Sequence, residues 1–459
     1  MKTAVVILAA GQGKRMKSSL PKVLHRVCGM PMLQSVIDSA KQLKPEQVIV
    51  VAGRHIDMFR KDIADTDVQF ALQKEPKGTG DALKSALPSL RSFDGEVIVL
   101  NGDTPLIRPA TIRKFLSMHK KKRSHVSVLS FTAADPSGYG RIIRDSTGTF
   151  VAIIEEKDAD GVQRKIQEVN SGVYVLNRKA LSLLEGISMN RLKGEYYLTD
   201  IVGLAMQRGF AVSAFRIGRE EEFMGVNTRE ELLRASEIMR RSIVQGLMTK
   251  GVNVLDPASV YLHPHASIGK DTTIYPNVVI EGSTTIGKGV TIYPHVRISR
   301  SKVGDHAVIM DSTVIEDSRI GARASVGPFA RLRPGSEIGE DARIGNFVEL
   351  KKTVVGKGAK ASHLSYLGDA KIGSGVNIGA GTITCNYDGK RKHITVLEDG
   401  VFVGSDTQLV APVKVGKGAY IGAGSTITKD VPPGALAVSR TEQRNIKDWV
   451  RKRHKAKDK

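Results

Sequence analysis

Aliphatic side chains return on a beat of six through the second half of the chain. The series runs Ile268, Ile274, Ile280, Ile286, Ile292 and Ile298, then after a five-residue step Val303, Ile309, Ile315, Ile320, Val326, Leu332, Ile338, Ile344 and Leu350. A further short step leads to Val355, and Leu367, Ile372 and Ile378 follow. Residues 382–402 read as a long insertion, after which Val403, Leu409, Val415, Ile421 and Ile427 close the series. Glycine follows many of these positions. A period of six suits neither a helix of 3.6 residues per turn nor one long strand of period two. It suits short strands joined by tight turns, three hexapeptides to a triangular coil, each aliphatic pointing inward onto its equivalent in the next coil. From about Val260 to Arg440 the pattern predicts a parallel β-helix of about nine coils, roughly 45 Å long at the usual strand spacing.

The first half has a different rhythm. Buried-strand runs at residues 3–8, 47–51 and 97–100 alternate with helical stretches at 32–43 and 111–121, the order of a mostly parallel α/β sheet. Between the halves, Leu232, Leu233, Ala235, Ile238, Met239, Ile243, Leu247 and Met248 fall at helical spacing behind an N-capping Thr228 with Glu230 and Glu231. The expected division is an α/β domain over 1–227, a connecting helix over 228–250, a β-helix over 251–440 and a basic tail over 441–459.

Composition narrows the function. A chain of 459 residues exceeds one core. The apolar run at the start is only eight residues long and ends in glycine and basic residues, and no stretch is apolar enough to span a bilayer, so neither a signal peptide nor a membrane span is expected. Cys28 and Cys385 stand far apart without a C-x-x-C partner, which fits a reducing, cytoplasmic compartment. The formal charge of +22 raises the question of nucleic acid, but eight Lys/Arg against two Asp crowd into the last sixteen residues, and aromatics, the stacking platforms of single-strand binders, are 5% of the chain. Phosphorylated small substrates suit the charge as well, and no specific nucleic acid is expected.

Candidate chemistry begins where the first strand ends. Leu8-Ala9-Ala10-Gly11-Gln12-Gly13 is a small-residue turn whose backbone N–H groups can approach a phosphate, and Lys14 and Arg15 follow it. A Walker A loop would need glycine at Leu8 and Ser/Thr at Arg15; a dinucleotide fingerprint would need a small residue at Met16. Both patterns fail. With Pro21-Lys22-Val23-Leu24 after it, the turn resembles the signature of sugar-1-phosphate nucleotidyltransferases. Further matches keep the family order: Gln73 with Gly78-Thr79-Gly80, Asn101-Gly102-Asp103-Thr104-Pro105-Leu106, Gly138-Tyr139-Gly140-Arg141, Glu155-Glu156-Lys157, Glu168-Val169-Asn170-Ser171-Gly172, Gly194-Glu195-Tyr196-Tyr197-Leu198-Thr199-Asp200 and Gly225-Val226-Asn227. With the hexapeptide half attached, residues 3–445 resemble the bifunctional N-acetylglucosamine-1-phosphate uridylyltransferase/glucosamine-1-phosphate acetyltransferase family.

The resemblance implies a Rossmann-like α/β nucleotidyltransferase domain followed by a left-handed parallel β-helix. It implies Mg²⁺ on Asp103 and Asn227, with Arg15 and Lys22 neutralising the triphosphate of UTP. Leu8, Ala9, Ala10, Gly11, Asn101 and Gly102 would line the nucleotide. Gln73, Gly78 and Thr79 would read the uracil, and Gly140, Glu155 and Asn170 would hold N-acetylglucosamine. Transfer of this kind needs positioning and charge neutralisation rather than a general base, because a phosphate nucleophile is already ionised.

In the β-helix, function is sought where the repeat is broken. Arg331-Leu332-Arg333-Pro334, Glu349-Leu350-Lys351-Lys352, 362–369 and Thr384-Cys385-Asn386-Tyr387-Asp388-Gly389 place polar groups on successive coils. Amine acetylation requires a base, and His363 is the candidate, with Glu349 near enough in sequence to orient it. The resemblance assigns Arg333 and Lys351 to the phosphate of glucosamine-1-phosphate and Tyr366 and Asn377 to its sugar. It assigns Ala380, Asn386, Tyr387, Ser405, Ala423 and Arg440 to acetyl-CoA, and it implies a homotrimer whose inserted loop reaches the next subunit. The alternatives are a monofunctional sugar-1-phosphate nucleotidyltransferase with a structural β-helix, and a basic solenoid that binds polyanions without turnover.

Overall fold

The computed structural model describes the chain apart from Met1, Gln12, Ala64, residues 191–193 and residues 456–459. Gln12 of the phosphate-approaching turn and the last four residues of the basic tail therefore lie outside the described residues. Contacts divide the chain into two compact units, Met1–Ser242 and Ile243–Lys459. Among the described residues no helix is long and apolar enough to cross a membrane.

The first unit is built on a nine-stranded sheet. Its central strand, Thr3–Leu8, is buried on both faces, as an apolar run flanked by parallel neighbours must be. Gln47–Ala52 and then Val68–Leu72 lie to one side of it, all parallel. The chain then crosses over, and Glu96–Asn101 pairs with the other edge of Thr3–Leu8, placing Leu8 opposite Asn101. This reversal of direction is a topological switch point, and a parallel sheet opens a crevice at the carboxyl ends of its strands there. Glu168–Leu176 runs antiparallel between Glu96–Asn101 and Val126–Thr132, Val212–Arg216 adds parallel to Val126–Thr132, and the hairpin of Arg141–Arg144 with Phe150–Ile154 leans on Glu168–Leu176.

The expected helices form over Met32–Lys41 and Pro109–Lys122. The connecting helix spans Arg229–Thr249. Its start is a capping box: Thr228 Oγ1 accepts from Glu231 N–H at 3.1 Å, while Glu231 Oε2 accepts from the backbone N–H of Asn227 at 2.6 Å and of Thr228 at 3.0 Å. Ala235, Val244 and Leu247 are buried, but Leu233 and Met248, counted in the apolar stripe from spacing, are exposed. In the basic tail Trp449–Lys455 is helical, with the Arg453 guanidinium over the Trp449 ring at 5.1 Å.

The second unit is a left-handed parallel β-helix of hexapeptide coils whose three faces carry 11, 10 and 9 strands. Register shows the repeat directly. Ile274, Ile292, Ile309, Val326 and Ile344 stack on one face, and Ile268, Ile286, Val303, Ile320 and Ile338 on another. Steps are 17 or 18 residues, so each five-residue interruption shortens one corner without losing phase. The stack is longer than the nine coils expected, since it starts at Asn253–Val254 and reaches Leu436–Ala437, both outside the regular beat.

Two features of the coil escape the aliphatic beat. Four residues after most inward aliphatics, and three at the shortened corners, comes a second inward position, filled by small or β-branched residues such as Thr272, Val290, Ala307, Ala324 and Ser336, all fully buried. Backbone satisfies the hydroxyls of two of these: Thr272 Oγ1 donates to Gly287 O at 2.9 Å and Ser336 Oγ to Arg333 O at 2.7 Å. At one corner, glycines stack coil on coil. A Cβ on Gly339 would sit 2.7 Å from both Gly356 C and Lys357 N, so glycine is required there by close approach. The insertion is also narrower than 382–402. Ile383–Cys385 and Thr395–Leu397 remain in the faces, and only residues 386–394 leave the coil.

Gly339→Ala should therefore destabilise the β-helix by about 1–3 kcal/mol through overpacking. Gly246→Ala, in the connecting helix with nothing within 4 Å of the new methyl, should stabilise by up to about 1 kcal/mol. Urea melts of the two variants test the pair, and equal midpoints would remove the close-approach argument.

Candidate active sites

At the switch point, backbone hydrogen bonds tie the strand ends together before any side chain acts. Ala9 N–H donates to Val51 O at 2.8 Å and Gly102 N–H to Leu8 O at 2.9 Å. Above them opens a cavity of about 830 Å³. Of the residues expected around the nucleotide, Leu8, Ala9, Ala10, Gly11, Arg15, Lys22, Gln73, Gly78, Thr79, Asn101, Asp103 and Asn227 line it. Gly102 supports the wall from behind. Gly140, Glu155 and Asn170 form a separate group: Asn170 N–H donates to Gly140 O at 2.8 Å, and Glu155 Oε1 accepts from Thr199 Oγ1 at 3.0 Å on the rim of a neighbouring 350 Å³ cavity. Tyr197 belongs to both cavities.

The cavity floor carries a polar cluster joined across the chain. The Lys22 ammonium donates to Asp103 Oδ2 at 2.5 Å and to Asn227 Oδ1 at 3.0 Å. Val226 N–H donates to Asp103 O at 2.9 Å, and Asn227 Nδ2 donates to Gly225 O at 3.2 Å, which leaves Oδ1 as the face of the amide turned to the cation. One carboxylate and one amide oxygen thus converge on a point already held by a positive charge. That is a donor set for a hard divalent cation that keeps most of its shell for water and phosphate. Among the described residues no cluster of three or more His, Cys, Asp or Glu side chains forms a richer metal site.

Recognition groups sit opposite. Gln73, almost wholly buried, spends its amide N–H₂ on Asp81 Oδ2 at 2.8 Å and Gly78 O at 3.2 Å, leaving its carbonyl oxygen for a ligand N–H. Gly78 has φ of +97°, and a Cβ there would lie 2.5 Å from Tyr196 O. Only glycine lets this turn dock on the Tyr196 backbone, where Gly80 N–H donates to Tyr196 O and Leu198 N–H to Thr79 Oγ1. The motif reading gave no role to Lys14, Pro76, Ala82, Glu195 or Tyr197, which also line the cavity. Elsewhere, His119 has Ser127 Oγ at 2.8 Å and Glu96 Oε2 at 3.0 Å, a triad pattern, but at 1% exposure it braces helix Pro109–Lys122 on the sheet and reaches no substrate.

On the β-helix the register sorts the expected residues into two groups on adjoining faces. Asn346 lies opposite His363. From the pairings Ala361 with Ile378, Ile378 with Val403 and Val403 with Ile421, the same column continues through Ala380, Ser405 and Ala423. A polar base is followed by three coils of small side chains at about 4.8 Å intervals. Around the corner lie Arg333, Lys351 and Tyr366. Lys351 titrates below the ordinary lysine value, first because of the neighbouring Lys392 and in lesser part because of Arg333. Like charges this close are relieved by an anion between them. A Cβ on Gly368 would meet Tyr366 Oη at 2.6 Å and Asn386 Nδ2 at 2.8 Å, so glycine keeps the space where these two polar groups meet. Asn386 is fixed by donating to Asp369 Oδ2 at 2.5 Å.

One expectation changes. Glu349 does not orient His363, because its carboxylate accepts from Arg333 Nη1 at 2.9 Å. The partner of His363 is Asn346, whose Oδ1 lies 2.7 Å from Nδ1. Asn377, Tyr387 and Arg440 stand apart from the two groups: Asn377 on the face of Lys360–His363 opposite Lys360, Tyr387 exposed in the loop with its hydroxyl on Gly389 O, and Arg440 exposed beyond the last coil strand. The loop itself is rigidified by Asp388, whose carboxyl is held well below the usual carboxylate range by backbone N–H groups of Arg391 and Lys390 and by His393.

Three family models match the chain: the MobA-like NTP transferase domain over residues 5–168, the GMPPB C-terminal domain over 257–332, and the bacterial transferase hexapeptide (six repeats) over 317–352 and 394–429. Curated relatives cover nearly all of it. The bifunctional protein GlmU of Thermodesulfovibrio yellowstonii is 50% identical over 451 residues, 98% of this chain and 99% of its own. Those of Heliobacterium modesticaldum and a Geobacillus species are 48% and 47% identical, covering 99% and 98% of this chain and 99% and 98% of their own.

Lys392→Gln should raise the pKa of Lys351, because it removes the largest cause that lowers it. A ¹³Cε NMR titration of Lys351 reads the change, and an unmoved midpoint would take Lys392 out of the cation cluster.

Proposed function

The chain belongs to the GlmU family of bifunctional proteins, and from that premise we propose how its two halves divide the synthesis of UDP-N-acetylglucosamine. The β-helix, residues 251–440, acetylates the amine of glucosamine-1-phosphate with acetyl-CoA. The α/β domain, residues 1–227, then joins the resulting N-acetylglucosamine-1-phosphate to the uridylyl group of UTP and releases pyrophosphate, with 228–250 connecting the two.

In the first step the amine nitrogen attacks the thioester carbon, the C–S bond breaks, and CoA leaves as the thiol. His363 takes the proton that the nitrogen must lose and returns it to sulfur. Arg333 and Lys351, with Lys392 beside them, bind the sugar phosphate, and Tyr366 and Asn377 hold the sugar. The pantetheine arm runs along Ala380, Ser405 and Ala423, with Asn386, Tyr387 and Arg440 taking the rest of the coenzyme. That column is the observation that carries the proposal: three small side chains aligned beyond a histidine suit an extended thioester.

In the second step a phosphate oxygen of N-acetylglucosamine-1-phosphate attacks the α-phosphorus of UTP, and the bond to the β-phosphate breaks. Leu8, Ala9, Ala10, Gly11, Asn101 and Gly102 shape the wall. Gln73 offers its carbonyl oxygen to the uracil imide N–H, Gly78 and Thr79 pack the base, and Gly140, Glu155 and Asn170 take the sugar. Arg15 and Lys22 hold the triphosphate. Mg²⁺ would be held by Asp103 and Asn227, and when bound it supplies charge neutralisation for the crowded phosphates. By the same reading the protein is a cytoplasmic homotrimer, with the loop 386–394 completing a neighbour's site.

Asp103→Ala should abolish Mg²⁺-dependent pyrophosphate release, and retained activity in the purified variant would sink the metal assignment. His363→Ala should lower CoA-thiol release by about 10²–10⁴-fold while uridylyl transfer to added N-acetylglucosamine-1-phosphate continues. Joint loss of both activities would argue against two independent sites.

A further inference from the structure

We propose that Asn346 is the positioning residue of acetyl transfer, acting through His363; the inference rests on the acetyltransferase reading above. Asn346 ends the strand Arg343–Asn346, one coil before Lys360–His363, and the register places the two side chains side by side. Its Oδ1 is 2.7 Å from Nδ1 of His363. An amide oxygen can only accept, so the hydrogen of this bond sits on Nδ1 and the lone pair of the neutral ring is at Nε2. The bond therefore does two things for a base on an exposed coil corner. It selects the tautomer that can receive a proton at Nε2, and it stops rotation of a ring that no core packing holds.

The neutrality of the partner matters too. A carboxylate in the same place would stabilise the imidazolium by a full charge and make the proton harder to hand on to the leaving sulfur. An amide orients through its dipole and leaves the ring able to cycle. Among the described residues no competing carboxylate serves His363. The groups in register on the stacked strands are Arg343 and Lys360, Asn377–Ile378 brings no ionisable side chain, and around the corner Glu349 is engaged by Arg333 while Tyr366 points its hydroxyl toward Gly368.

The test uses the full chain as wild type, Asn346→Ala, Asn346→Asp, His363→Ala and the Asn346→Ala/His363→Ala double variant, following CoA-thiol release with glucosamine-1-phosphate and acetyl-CoA against pH, with a thermal melt of each. Asn346→Ala should lower kcat by about 10–100-fold, as a misplaced base does, with both KM values within about twofold. In the His363→Ala background the same change should cost nothing further. Asn346→Asp keeps the acceptor, so it should recover most of kcat while moving the acid limb of the profile upward by about one pH unit or more. The proposal is overturned if Asn346→Ala stays within about twofold of wild type, if it slows the double variant as much as the single one, or if Asn346→Asp leaves the acid limb in place. If wild type itself releases no thiol, the acetyltransferase reading fails instead. The ¹⁵N shifts of His363 then decide the Asn346 contact separately: an Nδ1–H tautomer lost in Asn346→Ala supports it, and an unchanged tautomer overturns it.

Discussion

Parallel backbone pairing between successive coils is the constraint on which the second unit depends. Once Ile274 bonds in register with Ile292 and Ile292 with Ile309, every position on a coil has a copy of itself directly above and below. Inward columns fill with aliphatics and small residues and make the core. Outward columns cannot avoid alignment, so a few polar substitutions on successive coils become a site without any further folding problem. The histidine column and the cation cluster are products of that alignment, and the glycine corner at Gly339 keeps the coils close enough for it to hold.

The first unit reaches its site by a different route. Its sheet brings the ends of Thr3–Leu8 and Glu96–Asn101 together because the chain reverses direction between them, and the residues past those ends inherit proximity from the strands. Asp103 and Lys22 are 81 positions apart in sequence, yet their charges meet at hydrogen-bond distance. With Asn227 they form a closed set in which the cation is supplied by the chain itself. The half-buried Asp103 carboxylate is thus paired as it stands.

Much of this was legible in the sequence. The aliphatic beat gave the β-helix because one chemical class fills the inward position without exception for long runs, and the strand at residues 3–8 was plain because its β-branched run has no polar break. The second inward position stayed hidden: Thr, Ser, Ala and Val share smallness rather than hydrophobicity, so they read as variable. The coil count came out low because Val254 and Ala437, inside the expected bounds, stack without the beat. At the nucleotide cavity the motif series found most of the wall. At the acetyl site it missed Asn346, since an asparagine seventeen residues before a histidine means nothing until coil length is known. It misassigned Glu349 for a related reason, as Arg333, one coil earlier, had the stronger claim on the carboxylate.

The loop at residues 386–394 shows what such a scaffold permits. Ile372 and Leu397 are 25 residues apart, against 17 or 18 per coil between Ile274 and Ile344, and still pair as neighbours. The excursion returns to the lattice with its phase intact, and Leu397 goes on to stack under Val415. A corner of the β-helix is therefore a place where chain can be added without asking the core to adapt. Insertion and stability are decoupled, so the fold can acquire a new binding surface one corner at a time while each coil keeps its address.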